Sequence, residues 1–191
     1  MKKLLIIGDS FSENMCNHSW VSQLGYSITN LSDCGIGEYK IYQKINSIKF
    51  SDFSLFVVSH TSPNRIYIEN NPLYKDNPRY QNCDLLYADV KSKEPNCFAS
   101  KISWWYENVF DIDHAEFMHN LLVNYIIDIM PQSTIHLTFF NTHNSKLINY
   151  NEIWKKNPGD INHLNMQGNI EVANRVKKIL RDREQIPTLK D

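Results

Sequence analysis

The chain has 191 residues, is 42% hydrophobic and 21% charged, and carries a formal net charge of -1. That length accommodates one substantial core and not two, and the near-neutral balance leaves no basic footprint for nucleic acid. The amino-terminal apolar run stops at Gly8-Asp9, short of the roughly 7–15 residues of a secretory core, and no later segment approaches the ~20 apolar residues of a membrane span. A cytoplasmic location is the default expectation.

Lys3-Leu4-Leu5-Ile6-Ile7-Gly8-Asp9-Ser10 reads as a short strand buried on both faces, because an apolar run with no polar alternation fits a covered parallel strand. Ser10 follows at its carboxyl end, the edge where open α/β sheets bind ligands. A serine on such a turn presents its hydroxyl to a pocket; equally, Ser10-Phe11-Ser12-Glu13 fits a capping box in which Ser10 only caps a helix. That helix is expected to run to about Leu24, with Trp20, Val21 and Leu24 on one face. Residues 27–31 read as a second strand, and Ser32-Asp33-Cys34-Gly35-Ile36-Gly37 as a turn whose glycines permit positive φ or close backbone approach.

Residues 38–48 carry Ile41, Ile45 and Ile48 at helical spacing. Residues 55–59 are a clear buried strand, and the loop His60-Thr61-Ser62-Pro63-Asn64-Arg65 leaves it at the same sheet edge. Arg65 can pair with an acidic neighbour or hold a substrate anion by its planar fork. From 66 to about 105, turn signals such as Asn70-Asn71-Pro72 and Glu94-Pro95-Asn96 break the pattern, so a loop-rich insertion or lid is expected inside a single domain spanning 1–191. Its aromatics, Tyr67, Tyr74, Tyr80, Tyr87, Trp104, Trp105 and Tyr106, pack a lid or stack on sugar faces.

Met118, Leu121, Leu122, Tyr125, Ile126 and Ile129 predict a helix with one buried stripe, closed by Pro131. Asp111, Asp113, His114 and His119 fit no metal-binding helix face, and the carboxylates suit a helix start instead; no metal and no cofactor is expected. Residues 134–140 are the last clear strand, 141–157 read as a polar loop, and Asn165 caps a final helix whose Ile170, Ala173, Val176 and Leu180 face inward. The four cysteines, 16, 34, 83 and 97, form no C-x-x-C pair. Free thiols are expected, with a Cys83–Cys97 bridge only in an exported protein.

A serine nucleophile needs an imidazole within reach and a carboxylate to orient that imidazole. Gly159-Asp160-Ile161-Asn162-His163 supplies both groups three residues apart, in the chain order serine, aspartate, histidine. Together these blocks resemble the SGNH hydrolases, or GDSL-type esterases and lipases, which carry Gly-Asp-Ser near the amino terminus and Asp-x-x-His near the carboxyl terminus, commonly with the Asn and Gly that Asn165 and Gly168 match. The resemblance implies a flavodoxin-like three-layer α/β/α fold with a mainly parallel sheet, and a triad of Ser10, Asp160 and His163. It also implies an oxyanion hole from the amides of Ser10 and Gly35, matched with Asn30 and with Gly37 as fallback, and a side chain from the third block. There the family's Gly-x-Asn-Asp is absent: alignment points to Ser62 and chemistry to Asn64. Arg65 and Asp9 are the candidate substrate-binding residues. The activity implied is hydrolysis of a carboxylic ester with a small acyl group, such as an O-acetyl on a glycan or small molecule. An acyltransferase on a sugar acceptor, or a non-catalytic carbohydrate-binding module of the same fold, remain the alternatives.

Overall fold

The structure, a computed structural model, describes residues 2–14, 18–91, 97–160 and 163–184; Cys16 and the Cys97 side chain lie outside it. Five strands, β1 (Lys3–Gly8), β2 (Ser27–Asn30), β3 (Leu55–His60), β4 (Ile135–Thr138) and β5 (Ile148–Asn149), form one parallel sheet in the order β2-β1-β3-β4-β5. β1 and β3 are the central strands, and every residue of β3 is buried. The continuous apolar runs in the sequence are therefore the ones sandwiched between two helical layers.

Alternation along β1 divides the core. Leu4 and Ile6 face a cluster with Leu55, Val57, Ile135 and Leu137 that receives Val172, Ala173, Val176 and Leu180 of α6 (Met166–Glu184). Leu5 and Ile7 face the opposite cluster, with Ile41 and Ile45 of α1 (Glu38–Asn46) and Ile126 of α4 (Ile112–Ile129). The result is three layers, helices on both faces of the sheet. The chain passes from β1 outward to β2 and then crosses back over β1 to β3, so the sheet has its switch point between β1 and β3.

Four expectations are corrected. The segment after Ser10 is a series of turns, not a helix to Leu24, among the described residues. Its short polar side chains bond locally, Ser12 Oγ to the Asp9 carbonyl at 3.1 Å and Ser19 Oγ to Asn14 Oδ1 at 2.8 Å, in competition with a helical ladder. Trp20 is nonetheless core, with its indole N–H donated to the Phe11 carbonyl at 2.7 Å. The stretch 141–157 is not simply a loop, since it holds β5 and the helix α5 (Asn151–Lys156). α4 begins earlier than its apolar stripe, and only part of that stripe is covered: Met118, Leu121 and Tyr125 are 50–51% exposed, while Val123 and Ile126 are buried. Along α6, Ile170 is only half-buried and Val172 joins the inward stripe in its place.

The insertion carries α2 (Tyr87–Lys91) and α3 (Cys97–Asn108) around a small cluster of Val90, Ala99 and Tyr106. It is tied to the sheet edge by a buried ion pair, Lys40 Nζ to Asp84 Oδ1 at 3.0 Å, and by the Asp84 N–H donated to the Gly35 carbonyl at 3.0 Å. No helix among the described residues is long and apolar enough to cross a membrane.

Candidate active site

The turn after β1 is built for close contact. A Cβ at Gly8 would stand 2.4 Å from Ser12 Oγ and 2.7 Å from the Ser59 carbonyl oxygen, so a side chain there has no room beside β3. Asp9 is fully buried. Its carboxylate accepts from the Phe11 N–H at 3.1 Å and from Thr61 Oγ1 at 2.9 Å, and its carbonyl accepts from the Ser12 N–H at 3.0 Å. Asp9, not Ser10, is thus the residue that caps the turn, and the capping-box role offered to Ser10 is unfilled. Burial raises the Asp9 carboxyl above its ordinary range, against the pull of the Arg65 guanidinium. Asp9, expected to bind substrate, is placed with its carboxylate bonded to the Phe11 N–H and the Thr61 hydroxyl and is not among the residues lining the cavity.

Ser10 lines a cavity of about 1130 Å³ at the carboxyl ends of the strands, together with Gly35, Arg65, Asp160 and His163. Residues 150 positions apart in sequence therefore share one site. Gly35 has φ +67°, a conformation open to glycine and costly for other residues. Its carbonyl is occupied, accepting from Arg65 Nη1 and from the Asp84 N–H, both at 3.0 Å, while its own N–H donates to no group among the described residues. Gly37, by contrast, donates its N–H to Asp84 Oδ2 at 2.6 Å. Asn30 keeps the turn in register: its Nδ2 donates to the Ser12 carbonyl at 2.8 Å and its Oδ1 accepts from the Ser32 N–H at 3.0 Å.

The third block does not arrive where the resemblance puts it. Ser62 lines a separate cavity of about 540 Å³ with Tyr39, Tyr67 and His119, and its hydroxyl accepts from the Asn64 N–H at 3.3 Å. Asn64 is exposed. Neither lines the large cavity, because Thr61 is fixed inward, its N–H donated to Glu38 Oε2 at 3.2 Å and its hydroxyl to Asp9, and the chain turns outward at 63–64. Arg65 reaches both cavities instead, with Nε donated to Thr61 Oγ1 at 3.2 Å. An ordered relay of Asp9, Thr61, Arg65 and Gly35 thus links the turns that carry Ser10 and the free glycine amide.

His163 is half-buried against Phe11, ring centroids 5.2 Å apart, and its Nε2 is buried with no hydrogen-bond partner among the described residues. Its N–H donates to the Asp160 carbonyl at 3.1 Å, and its carbonyl accepts from the Gly159 N–H at 2.6 Å. The Asp160 carboxylate is exposed, and among the described residues no side-chain hydrogen bond joins it to His163 or joins His163 to Ser10. The three residues share one wall without the hydrogen bonds of a closed triad, and such bonds commonly tighten only in the complex. Asn165 caps α6 as expected, Oδ1 accepting from the Gly168 N–H at 2.9 Å.

Sequence reasoning missed several cavity walls. Phe140 and Trp154 line it from just before and within a stretch read as a polar loop. Tyr74 and Tyr80 of the aromatic tract line it too, with Cys83, whereas Tyr67 faces the second cavity and Trp104 is 59% exposed. His60 is fully buried, Nδ1 to Glu38 Oε1 at 2.7 Å and Nε2 to His136 Nδ1 at 3.0 Å; it belongs to an internal network behind the sheet edge. Burial pushes the Glu38 carboxyl up, but the adjacent His60 outweighs it and the carboxyl is held below its ordinary value. Asp111 accepts from the N–H groups of Asp113 and His114, which makes it the cap of α4. No group of three His, Cys, Asp or Glu side chains among the described residues is arranged to hold a metal ion.

What fold and cleft define is a parallel, doubly covered α/β protein with a polar-rimmed cavity at its switch point. Compared with known proteins, the chain matches no family model, no curated protein and no solved structure.

Proposed function

We propose that the protein is a serine ester hydrolase acting on a small acyl ester, with an O-acetylated carbohydrate as the favoured substrate class. The observation that carries this reading is that Ser10, Gly35 and His163 line one cavity, with His163 Nε2 buried and without a hydrogen-bond partner among the described residues. A buried imidazole nitrogen with no partner is costly, and a serine proton is the group that a base in this position serves. His163 takes the Ser10 proton as Oγ attacks the ester carbonyl, and the alcohol leaves with that proton. The oxyanion receives the Ser10 and Gly35 N–H groups, with Arg65 beside them in place of the family's asparagine. Water activated by His163 then releases the acid. Asp160 orients the imidazolium by swinging its exposed carboxylate toward His163. The rings of Tyr74, Tyr80 and Trp154 on the cavity wall give faces on which a sugar stacks.

Labelling with a fluorophosphonate probe, beside p-nitrophenyl acetate turnover, tests this. Both signals are expected in the native protein and lost in Ser10→Ala and His163→Ala. A second reading, a carbohydrate-binding module of the same fold, is favoured by the exposed Asp160 and the displaced third block. Folded native protein that neither labels nor turns over ester would select that second reading.

A further inference from the structure

We infer that Cys34 and Cys83 form a peroxide-oxidisable thiol pair, a covalent modification site in the cavity wall that withdraws the Gly35 amide from the candidate oxyanion position when it closes. The modification itself stands on the geometry below, and its effect on catalysis rests on the ester-hydrolase reading.

Both residues are free cysteines, Cys34 half-buried and Cys83 buried, and both line the large cavity, through which a small oxidant reaches them. The backbones around them run side by side, tied by the Asp84 N–H to the Gly35 carbonyl at 3.0 Å. Cys83 Sγ stands 3.0 Å from the Cys34 carbonyl oxygen. The neighbouring Cys83 thiol lowers the Cys34 thiol below its ordinary value, with Arg79 and Arg65 assisting and burial and Glu13 opposing, and the same neighbour together with burial raises that of Cys83. The pair is therefore asymmetric, with Cys34 the more acidic and more accessible thiol and Cys83 the buried, resolving one.

Hydrogen peroxide is the oxidant. The Cys34 thiolate attacks a peroxide oxygen; an S–O bond forms, the O–O bond breaks, and hydroxide leaves to be protonated as water. Cys83 Sγ then attacks the Cys34 sulfur; the S–S bond forms, the S–O bond breaks, and the hydroxyl departs as a second water with the Cys83 proton. The two thiols lose two hydrogens and two electrons in all. Closure brings the two sulfurs to the roughly 2.0 Å of a covalent bond. Cys83 Sγ already occupies the space beside Gly35, 2.6 Å from where a Cβ would stand, and Cys34 is the residue bonded to Gly35. The contraction is therefore exerted on the peptide whose N–H the site uses.

The test treats the full chain with hydrogen peroxide, then maps its peptides by mass without reduction, and measures fluorophosphonate labelling before and after dithiothreitol. A Cys34–Cys83 linked peptide is expected, with labelling slowed by about 10²-fold, the loss typical of one oxyanion donor, and restored by reductant. Cys83→Ala is expected to form no link, with its own labelling rate not reversibly lowered through a disulfide. Linkage of either cysteine to Cys16 or Cys97, or a Cys34 oxygen adduct without linkage, overturns the pair. A linked peptide with unchanged labelling overturns its effect on Gly35. If the reduced protein does not label at all, the ester-hydrolase reading fails, and the mass map still decides the thiol pair.

Discussion

Gly35→Ala separates two costs that the structure assigns to one position. At φ +67° an alanine adopts a left-handed conformation worth about 1–2 kcal/mol of strain. Its Cβ would also meet Cys83 Sγ at 2.6 Å and Cys83 Cβ at 3.0 Å, an overpacking of about 1–3 kcal/mol. The expected loss of stability is therefore about 2–5 kcal/mol. Urea unfolding followed by tryptophan fluorescence measures it, in a cycle with Cys83→Ala and the double variant. Removing the sulfur relieves the 2.6 Å contact but neither the backbone strain nor the 3.0 Å contact with the Cβ that alanine keeps, so the double variant should stay at least about 1–2 kcal/mol less stable than Cys83→Ala alone. Strict additivity, or a Gly35→Ala chain as stable as the native one, would refute the placement of Cys83 against Gly35.

Three further outcomes are expected. Asp84→Asn removes the anion from the buried Lys40–Asp84 pair, whose side chains are 6% and 1% exposed, and should cost about 3–5 kcal/mol in urea unfolding. His136 is held to about 3 from its ordinary 6.5 by burial, then by His60 and Arg183. The unfolded chain thus binds the proton more readily, so the contribution is present above 6.5 and declines toward pH 3 at up to about 1.4 kcal/mol per pH unit; His136→Gln should flatten urea midpoints across that window. Trp104→Ser, at a site 59% exposed, should stay within about 0.5 kcal/mol of native stability.

The sheet was legible because β1 and β3 are buried on both sides and carry no polar alternation to confuse their reading. The elements that escaped owe their form to distant partners. β5 is two residues long, Ile148 and Asn149, defined by pairing with Leu137 and Thr138, and nothing in its own sequence announces a strand. The turns after Ser10 contain enough apolar spacing for a helix, yet Ser and Asn side chains take the local hydrogen bonds. At the site, residue type and order placed Ser10, Gly35, Asp160 and His163 at one edge, where the cavity gathers them. Which donors remain free was not legible, since the Gly37 amide is claimed by Asp84 from the insertion and the direction of the chain at Ser62 is set by contacts of Thr61 with Glu38 and Asp9. Such contacts join segments 23 to 52 residues apart, beyond the reach of periodicity.

Asn169, on the first turns of α6, accepts the Trp20 N–H at 2.9 Å across 149 residues of sequence, while its amide donates to the carbonyls of Leu164 and Asn165, both at 3.0 Å. The segment beside Ser10 is thus latched by a residue of the first turn of α6. At ~5–20 residues per second a ribosome takes roughly 7–30 s to add the intervening chain. Throughout that interval the amino-terminal turn has no latch, and the cavity that Ser10 and His163 line is incomplete. Until α6 emerges, the turn after β1 is held only by its own local hydrogen bonds, so a chain truncated before α6 lacks the Asn169 latch on Trp20.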